Sequence, residues 1–472
     1  MRKFNKSIAL LMALIMAFSC SITVFAANET MGDVDYTITN PYETVDFDSW
    51  GQYKSDLHCH TTASDGDVDM DVMIEEHYAQ NYDVLALTDH GIVSDGWRKV
   101  NTKNYFKIAM SVADGALRKV TPLTQERYDE ITTGSDRNGR GMIEVPMGIE
   151  QNPTSLNSSH VNSWFCDYGD GLVGGTSNYE EVISGVDAAG GLSVINHPGE
   201  YTRAKKESCQ DDAYSDTLWY QYVIKKFSNI LINYKSCIGI DVNSKKDGRT
   251  KYDRKLWDIL LQNVVPTGRN VLAIATTDAH QLDKVGCAWT TLCMPENNAE
   301  NIRNCLETGA FFAVSRYIKN SDELAQFSLE TGIDWGESFS IDTRDDSNPA
   351  PVVTNVTVDE KEDTITLETE NALTVHWIAD GKVIAVGNSI DLDDYSDEIG
   401  SYVRAEAFGA GGVLYTQAFM LDYEGAPEAE DIGLFYDFGN ILAALKHLLI
   451  KLGTSLPAGE KVYNFLTKTI TE

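Results

Sequence analysis

The chain has 472 residues, too many for one small domain and enough for two or three. Hydrophobic residues make up 43% of it, an ordinary globular share that supports sizeable cores. The net charge is −33. Such a surface repels phosphate backbones and anionic lipid at long range, which argues against non-specific binding to nucleic acid or membranes. An anionic substrate has to be captured locally, for example by metal ions.

The first residues predict a signal peptide over 1–26. Arg2, Lys3 and Lys6 give a positive start, and Ile8 to Phe18 is an apolar stretch too short to span a bilayer. Val24-Phe25-Ala26 then offers small residues for cleavage after Ala26. A secreted protein with no transmembrane span in the mature chain is the expectation, favoured over an uncleaved anchor helix. Seven cysteines follow the segment (Cys59, Cys166, Cys209, Cys237, Cys287, Cys293 and Cys305). An odd number without tight spacing is not a disulfide framework, and no Cys-x-x-Cys pair suggests a thiolate zinc site.

The elements from about residue 54 onwards alternate. Apolar runs at Asp56–His60, Val84–Thr88, Met142–Ile149, Leu192–Asn196, Cys237–Val242 and Val271–Thr276 read as strands. Several lack polar alternation, which suits strands covered on both faces. Met70–Gln80, Tyr179–Ala189, Tyr252–Gln262 and Ala299–Thr308 show helical spacing between them. Repeated β-α alternation predicts a parallel sheet, open or closed into a barrel, over residues 45–318. From 324 to 424 the pattern becomes short strands with turns such as Asp380-Gly381, expected to form a small all-β, immunoglobulin-like sandwich. A helical tail over 431–472 is expected, its leucine stripe interrupted by Lys446 and His447.

The ends of the predicted strands carry the chemistry. They give Asp56-Leu57-His58-Cys59-His60 with Ser64-Asp65-Gly66, then Leu87-Thr88-Asp89-His90-Gly91, then Gly148-Ile149-Glu150. Ser159-His160-Val161, Ile195-Asn196-His197-Pro198 and Thr277-Asp278-Ala279-His280 follow. Six of the nine histidines lie at these places; His77, His376 and His447 do not. Strand carboxyl ends are where parallel α/β barrels gather functional residues. Residues i and i+2 of a strand point to one side, so His58 and His60, or Asp278 and His280, can face one ion. Imidazoles with carboxylates suit Zn²⁺, Mn²⁺ or Fe²⁺. Any one of these motifs alone is more often an incidental strand end; together and in order they point to a metal centre.

The stretch His58-Cys59-His60-Thr61-Thr62-Ala63-Ser64-Asp65-Gly66, with Thr88-Asp89-His90-Gly91, Asn196-His197-Pro198 and Asp278-Ala279-His280, resembles the motifs of the PHP (polymerase and histidinol phosphatase) family over roughly residues 54–317. The resemblance implies a distorted seven-stranded β/α (TIM-like) barrel with two or three divalent ions. By matching motif it implies His58, His60, Glu150 and Asp278 for one ion, and His160 and His197 with a bridging Glu150 for a second. It implies Asp65, His90 and His280 for a third. The secretion signal and trailing β region resemble an extracellular branch that includes amide and carbamate hydrolases as well as phosphoesterases.

The expected function is metal-dependent hydrolysis by metal-activated water. Three divalent ions outweigh the charges of Asp65, Glu150 and Asp278, so the site is a local positive well suited to a small anionic substrate. A phosphomonoester, nucleotide or oligonucleotide end is therefore the first expectation. Amide, carbamate or ester hydrolysis on the same metals is the alternative. A metal-stabilised surface binding module, with cell-surface contact through the β-sandwich, is the reading from another class. Asp241 is a candidate proton donor or support for a ligand, and Arg203 a candidate clamp for a substrate oxyanion. Asp56 and Asp89 flank ligand histidines and are positioned either to orient them or to face away.

Overall fold

The computed structural model describes residues 34–103, 105–151, 159–171, 178–202, 204, 213–244, 250–318, 321–332, 339–340 and 347–430. The predicted signal segment 1–26, Arg203, Cys209 and the predicted helical tail 431–472 lie outside the described residues. All that follows belongs to the compact unit Tyr36–Glu472.

Strand β1 (Gly51–Cys59) leads through helix α1 (Met70–Ala79) to β2 (Val84–Leu87), which pairs parallel with it. Asp69 starts α1 by accepting from the Met70 amide, as a short polar side chain does at a helix N-cap. Helices α2 (Tyr105–Asp114) and α3 (Gln125–Thr133) precede β3 (Ile143–Glu144), parallel to β2. A second sheet holds, in spatial order, β4 (Ile149–Gln151), β5 (Val161–Trp164), β6 (Leu192–Ile195), β7 (Cys237–Asn243) and β8 (Leu272–Ala275). Its connections carry α4 (Tyr179–Ala188), α5 (Leu218–Asn233) and α6 (Thr250–Val264). Their apolar faces, through Val182, Phe227 and Leu260, share one core with Ile195 and Ile240 of the sheet.

Two isolated bridges link the sheets, His90 to Glu150 and Cys59 to Ala279. The pairings then run β1, β2, β4, β5, β6, β7, β8 and back to β1. Gly148 allows the first junction. A Cβ there would lie 2.4 Å from the Leu87 carbonyl oxygen, closer than any side chain is tolerated. The sheet is mixed rather than parallel throughout, because β5 runs antiparallel to both neighbours. The cause is chain length. β4 ends at Gln151 and β5 begins at Val161, and a parallel crossover needs a dozen residues or more.

Beyond β8 the chain turns back along β1. β9 (Ala288–Met294) pairs antiparallel with β1, and after α7 (Ala299–Thr308) β10 (Phe311–Ser315) pairs antiparallel with β9. Helix α8 (Ser321–Thr331) follows. The C-terminal strands are β11 (Val352–Asp359), β12 (Thr364–Glu370), β13 (Thr374–Ala379), β14 (Lys382–Val386), β15 (Ser389–Asp391), β16 (Tyr402–Gly409), β17 (Gly412–Tyr415) and β18 (Phe419–Asp422). β11, β12 and β15 form one small sheet, while β13 pairs with β14 and β16. Asp380 and Gly381, both at positive φ, make the tight turn between β13 and β14 that Asp-Gly favours. β17 pairs with β10, so the C-terminal strands continue the sheet that begins at β1. The Gln417 side chain donates to Phe311 O of β10 (3.2 Å) and ties the same segment to β8, accepting from Ala273 N (2.8 Å) and donating to Ala273 O (2.9 Å).

Cys59, Cys166, Cys237, Cys287, Cys293 and Cys305 are all buried. Among the described residues no helix is long and apolar enough to cross a membrane.

Candidate metal centre

The ligand-type residues reach one rim because of the strand directions. His58 lies near the end of β1 with His60 one residue past it, and His90 follows β2. His197 follows β6, and Asp278 and His280 follow β8. His160 precedes β5 instead, and since β5 runs the opposite way its start lies on the same rim. Backbone bonds draw the ends together: His60 N to Ala279 O (2.9 Å), Asp278 N to His58 O (3.0 Å) and Asn196 N to His160 O (3.0 Å). Two of the residues sit in left-handed backbone, His197 at φ 26° and Asp278 at φ 46°. Such positions cost about 1–3 kcal/mol each and gather at functional sites.

Nine residues expected from the sequence converge in three groups, each offering ligand atoms within 4.8 Å of one another. His58, His60, Glu150 and Asp278 form the first group, all buried. Glu150, His160 and His197 form the second, and His60, Asp65, His90 and His280 the third. In the first, His58 Nε2 lies 3.1 Å from His60 Nε2, 3.4 Å from Glu150 Oε2 and 3.3 Å from Asp278 Oδ1. His60 Nε2 is 3.2 Å from each of those carboxylates. An ion with bonds of about 2.1 Å spaces tetrahedral donors about 3.4 Å apart. The separations match the edges of such a polyhedron, and the donor set fits a divalent ion.

Glu150 is shared. Its Oε2 faces the first group and its Oε1 lies 2.8 Å from His160 Nδ1 and 3.5 Å from His197 Nε2. In the third group Asp65 reaches His280 Nε2 at 3.3 Å, His90 Nε2 at 3.4 Å and His60 Nδ1 at 3.7 Å. This group is the most open: the Asp65 and His280 side chains are 29% and 33% exposed, against 0–2% for the first group.

The surrounding polar residues divide by what they hold. Asp89 accepts from Thr61 N (2.8 Å), Thr61 Oγ1 (2.9 Å) and Ser64 Oγ (2.7 Å), so it braces the loop carrying Asp65. Asp56 faces away from the ligands. It accepts from His77 Nε2 (2.9 Å), Thr277 N (3.2 Å), His58 N (3.2 Å) and the Thr277 hydroxyl. His77 thus belongs to the support of β1 and not to the rim. Asp241 is buried and accepts from Thr276 Oγ1 (2.6 Å) and Asn243 N (3.2 Å); burial pushes its carboxyl up to about 7 against those bonds.

Two asparagines not expected from the sequence support the ligands. Asn196 Nδ2 donates to Glu150 Oε1 (2.9 Å) and to Asn162 Oδ1 (2.8 Å), while Asn162 Nδ2 donates to Leu57 O (3.2 Å). Asn196 stands beside His197, and Asn162 two residues after His160, so i, i+2 spacing would have found the second. Partners that orient a metal ligand matter about 10–100-fold in metal affinity. Asn196→Ala is expected to weaken ion binding by that factor, read by titration of the metal-free protein with Zn²⁺.

Protons and ions compete here. Burial disfavours the charged form of His58, His60 and His90, yet the nearby carboxylates Glu150, Asp278 and Asp65 outweigh it and raise all three. Burial acts against ionised Glu150 and Asp65 as well, but the surrounding imidazoles bring both below the usual range. The carboxylates thus favour the protonated imidazoles, whose ordinary value is about 6.5, while an ion requires the neutral ones, so protons compete with the metal. Affinity should rise as the pH climbs past about 6.5 into the raised range of these imidazoles. Calorimetry in buffers of different ionisation enthalpy should detect protons released on Zn²⁺ binding; uptake without release would contradict this.

No family model and no curated protein matches the chain. Solved structures do resemble it. One is a two-domain protein containing a predicted PHP-like metal-dependent phosphoesterase from Bacteroides vulgatus, at 16% identity over 83% of this chain and 95% of that one, with a TM-score of 0.38. An amidohydrolase from Chromobacterium violaceum aligns at 14% identity over 48% of this chain and 87% of its own, TM-score 0.27. The lesion-specific endonuclease EndoQ from Pyrococcus furiosus aligns at 10% identity over 62% and 70%, TM-score 0.31.

Proposed function

We propose that the protein is a secreted metal-dependent hydrolase, in first place a phosphoesterase. The observation that carries this reading is the convergence of six imidazoles and three carboxylates on one rim at polyhedron-edge distances. His58, His60, Glu150 and Asp278 would hold one ion and His160 and His197, with the shared Glu150, a second. Asp65, His90 and His280 would hold a third, with His60 alongside. Zn²⁺, Mn²⁺ or Fe²⁺ suits such donors. Bound ions would activate water and neutralise charge on substrate oxygens. The chain's own part is to fix the donors, to share Glu150 between two groups and to leave the third group open to solvent. Asp241, with both oxygens engaged, supports the Thr276–Asp278 segment in this reading rather than moving a proton.

The architecture is read as a distorted seven-stranded β/α barrel over 45–318, with the ring of pairings from β1 back to β1 in its support. An immunoglobulin-like β-sandwich over 324–424 and a helical tail over 431–472 complete it. Secretion rests on the signal segment with cleavage after Ala26. Arg203, six residues past His197, stays a candidate oxyanion clamp.

Up to six positive charges from three divalent ions face three carboxylates, which favours an anionic substrate. Purified protein reconstituted with Zn²⁺ or Mn²⁺ should hydrolyse p-nitrophenyl phosphate or bis-p-nitrophenyl phosphate. Turnover confined to aryl amides, carbamates or carboxylic esters would select the alternative hydrolase. Metal uptake with no turnover of any of these would favour the surface binding module.

A further inference from the structure

We propose that Arg118 is a positioning residue for the ion of the third group, acting through the loop that presents Asp65; this rests on the metal-centre reading above. Arg118 Nη1 donates to Ser64 O (3.0 Å) and to Gly66 O (2.6 Å), the carbonyls on either side of Asp65. The Arg118 side chain is only 10% exposed, so it is part of the packing beside the rim. Its own place is fixed from α2: Nε donates to Asp114 Oδ2 (2.7 Å) and the Arg118 amide to Ser111 Oγ (3.0 Å). The neighbouring residue adds a second tie, with Thr62 Oγ1 donating to Lys119 O (2.6 Å).

The loop needs such a grip because the Asp65 carboxylate has little else to direct it. Besides the three imidazoles it meets, among the described residues, only Ser64 Oγ, at 3.4 Å. Its reach towards His90 and His280 is therefore set by the backbone from Ser64 to Gly66. That backbone is tightly seated, since a Cβ on Gly66 would stand 2.8 Å from the His60 carbonyl. Nη1 carries two N–H bonds and holds both carbonyls while Nε of the same rigid plane is anchored on Asp114; an ammonium has donors enough but, on a flexible stem, no such second anchor. The first and second groups take no ligand from this loop apart from His60, which leaves β1 directly. Loss of the grip should act on the third ion and spare the other two.

The test is Zn²⁺ binding to full-length mature protein carrying Arg118→Ala, Arg118→Lys, Asp65→Ala or the first and third together. Stoichiometry comes from elemental analysis after dialysis and affinities from calorimetry. Arg118→Ala should weaken one ion at least tenfold, with the other two and the near-ultraviolet circular dichroism unchanged. Arg118→Lys should fall between it and wild type. Asp65→Ala should lose the same ion, and the double variant should lose no more. Wild-type affinity in Arg118→Ala, loss of all ions, or additive effects in the double variant would each overturn the proposal. A wild-type protein that takes up no ion would overturn the metal-centre reading itself.

Discussion

Replacing His58 and His60 together by alanine is expected to lower hydrolysis of the preferred substrate at least a thousandfold, which at 1.36 kcal/mol per tenfold is about 4 kcal/mol of barrier. The size follows from their placement. His58 Nε2 and His60 Nε2 stand 3.1 Å apart and face Glu150 and Asp278, so the pair supplies half of the first group. His60 also reaches Asp65 through Nδ1, and Glu150 extends the damage to the second group. The loss should appear in turnover number and should not be restored by excess Zn²⁺ or Mn²⁺. The fold should survive, because the main-chain bonds of β1 to β2 and β9 do not involve these rings. A double variant that retained more than about a tenth of wild-type turnover would place the chemistry elsewhere.

The second large effect concerns the C-terminal strands. β17 pairs with β10, and Tyr402, Phe408, Val413 and Tyr415 share one core with Ile240, Leu256 and Trp257. Between them lies a buried ion cluster. Arg404 donates through Nε and Nη2 to Asp258 of α6 (2.7 and 2.8 Å) and through Nη1 to Glu406 (2.7 Å), while Tyr402 donates to Asp258 (2.9 Å). Its guanidinium also lies 4.5 Å from the Trp257 ring centre. Removing one partner of a buried pair costs about 3–5 kcal/mol, because the other charge stays desolvated. Arg404→Met should lose stability of that order in denaturant unfolding. A fragment ending at residue 318 should fail to fold, since it bares β10 and strips Tyr402, Phe408, Val413 and Tyr415 from that core. A soluble fragment 45–318 with a cooperative unfolding transition would show that the sheet join is dispensable.

Much of the rim is legible in the sequence because two physical signals coincide there. Imidazoles and carboxylates are uncommon at the ends of apolar strands, and the i, i+2 spacing fixes their side. His58 and His60 need no more than that, whereas Asp278 and His280 lie past the end of β8, Asp278 at φ 46°, and fall in different groups, so strand alternation does not make them face one ion. Glu150 and His160 stand in weaker local patterns, and the structure explains why. Glu150 lies in a three-residue strand and His160 precedes its strand instead of following it. The reversal of β5 has no residue-level signature beyond the short connection from Gln151 to Val161. Supporting groups are harder to see. Asp56 with His77, Asn196 with Glu150, and Arg118 with Ser64 and Gly66 depend on contacts across 21, 46 and more than 50 residues.

The fold shows the same division. Capped, amphipathic helices such as α4 and α7 stand out, with Asn178 and Asn298 each accepting an amide at the start. Helix α5 does not: its sixteen residues are apolar on more than one side, with Leu218 exposed and Phe227 and Leu231 buried. The direction of β9 and β10, and the pairing of β10 with β17, come from tertiary packing that no local window contains.

The most direct test of the central claim is the metal content of the purified mature chain, measured by elemental analysis before and after reconstitution with Zn²⁺ or Mn²⁺. Two or three ions per chain, reduced in the His58→Ala/His60→Ala variant, are the expected result. A chain that takes up no ion after reconstitution would contradict the metal centre and the hydrolase built on it.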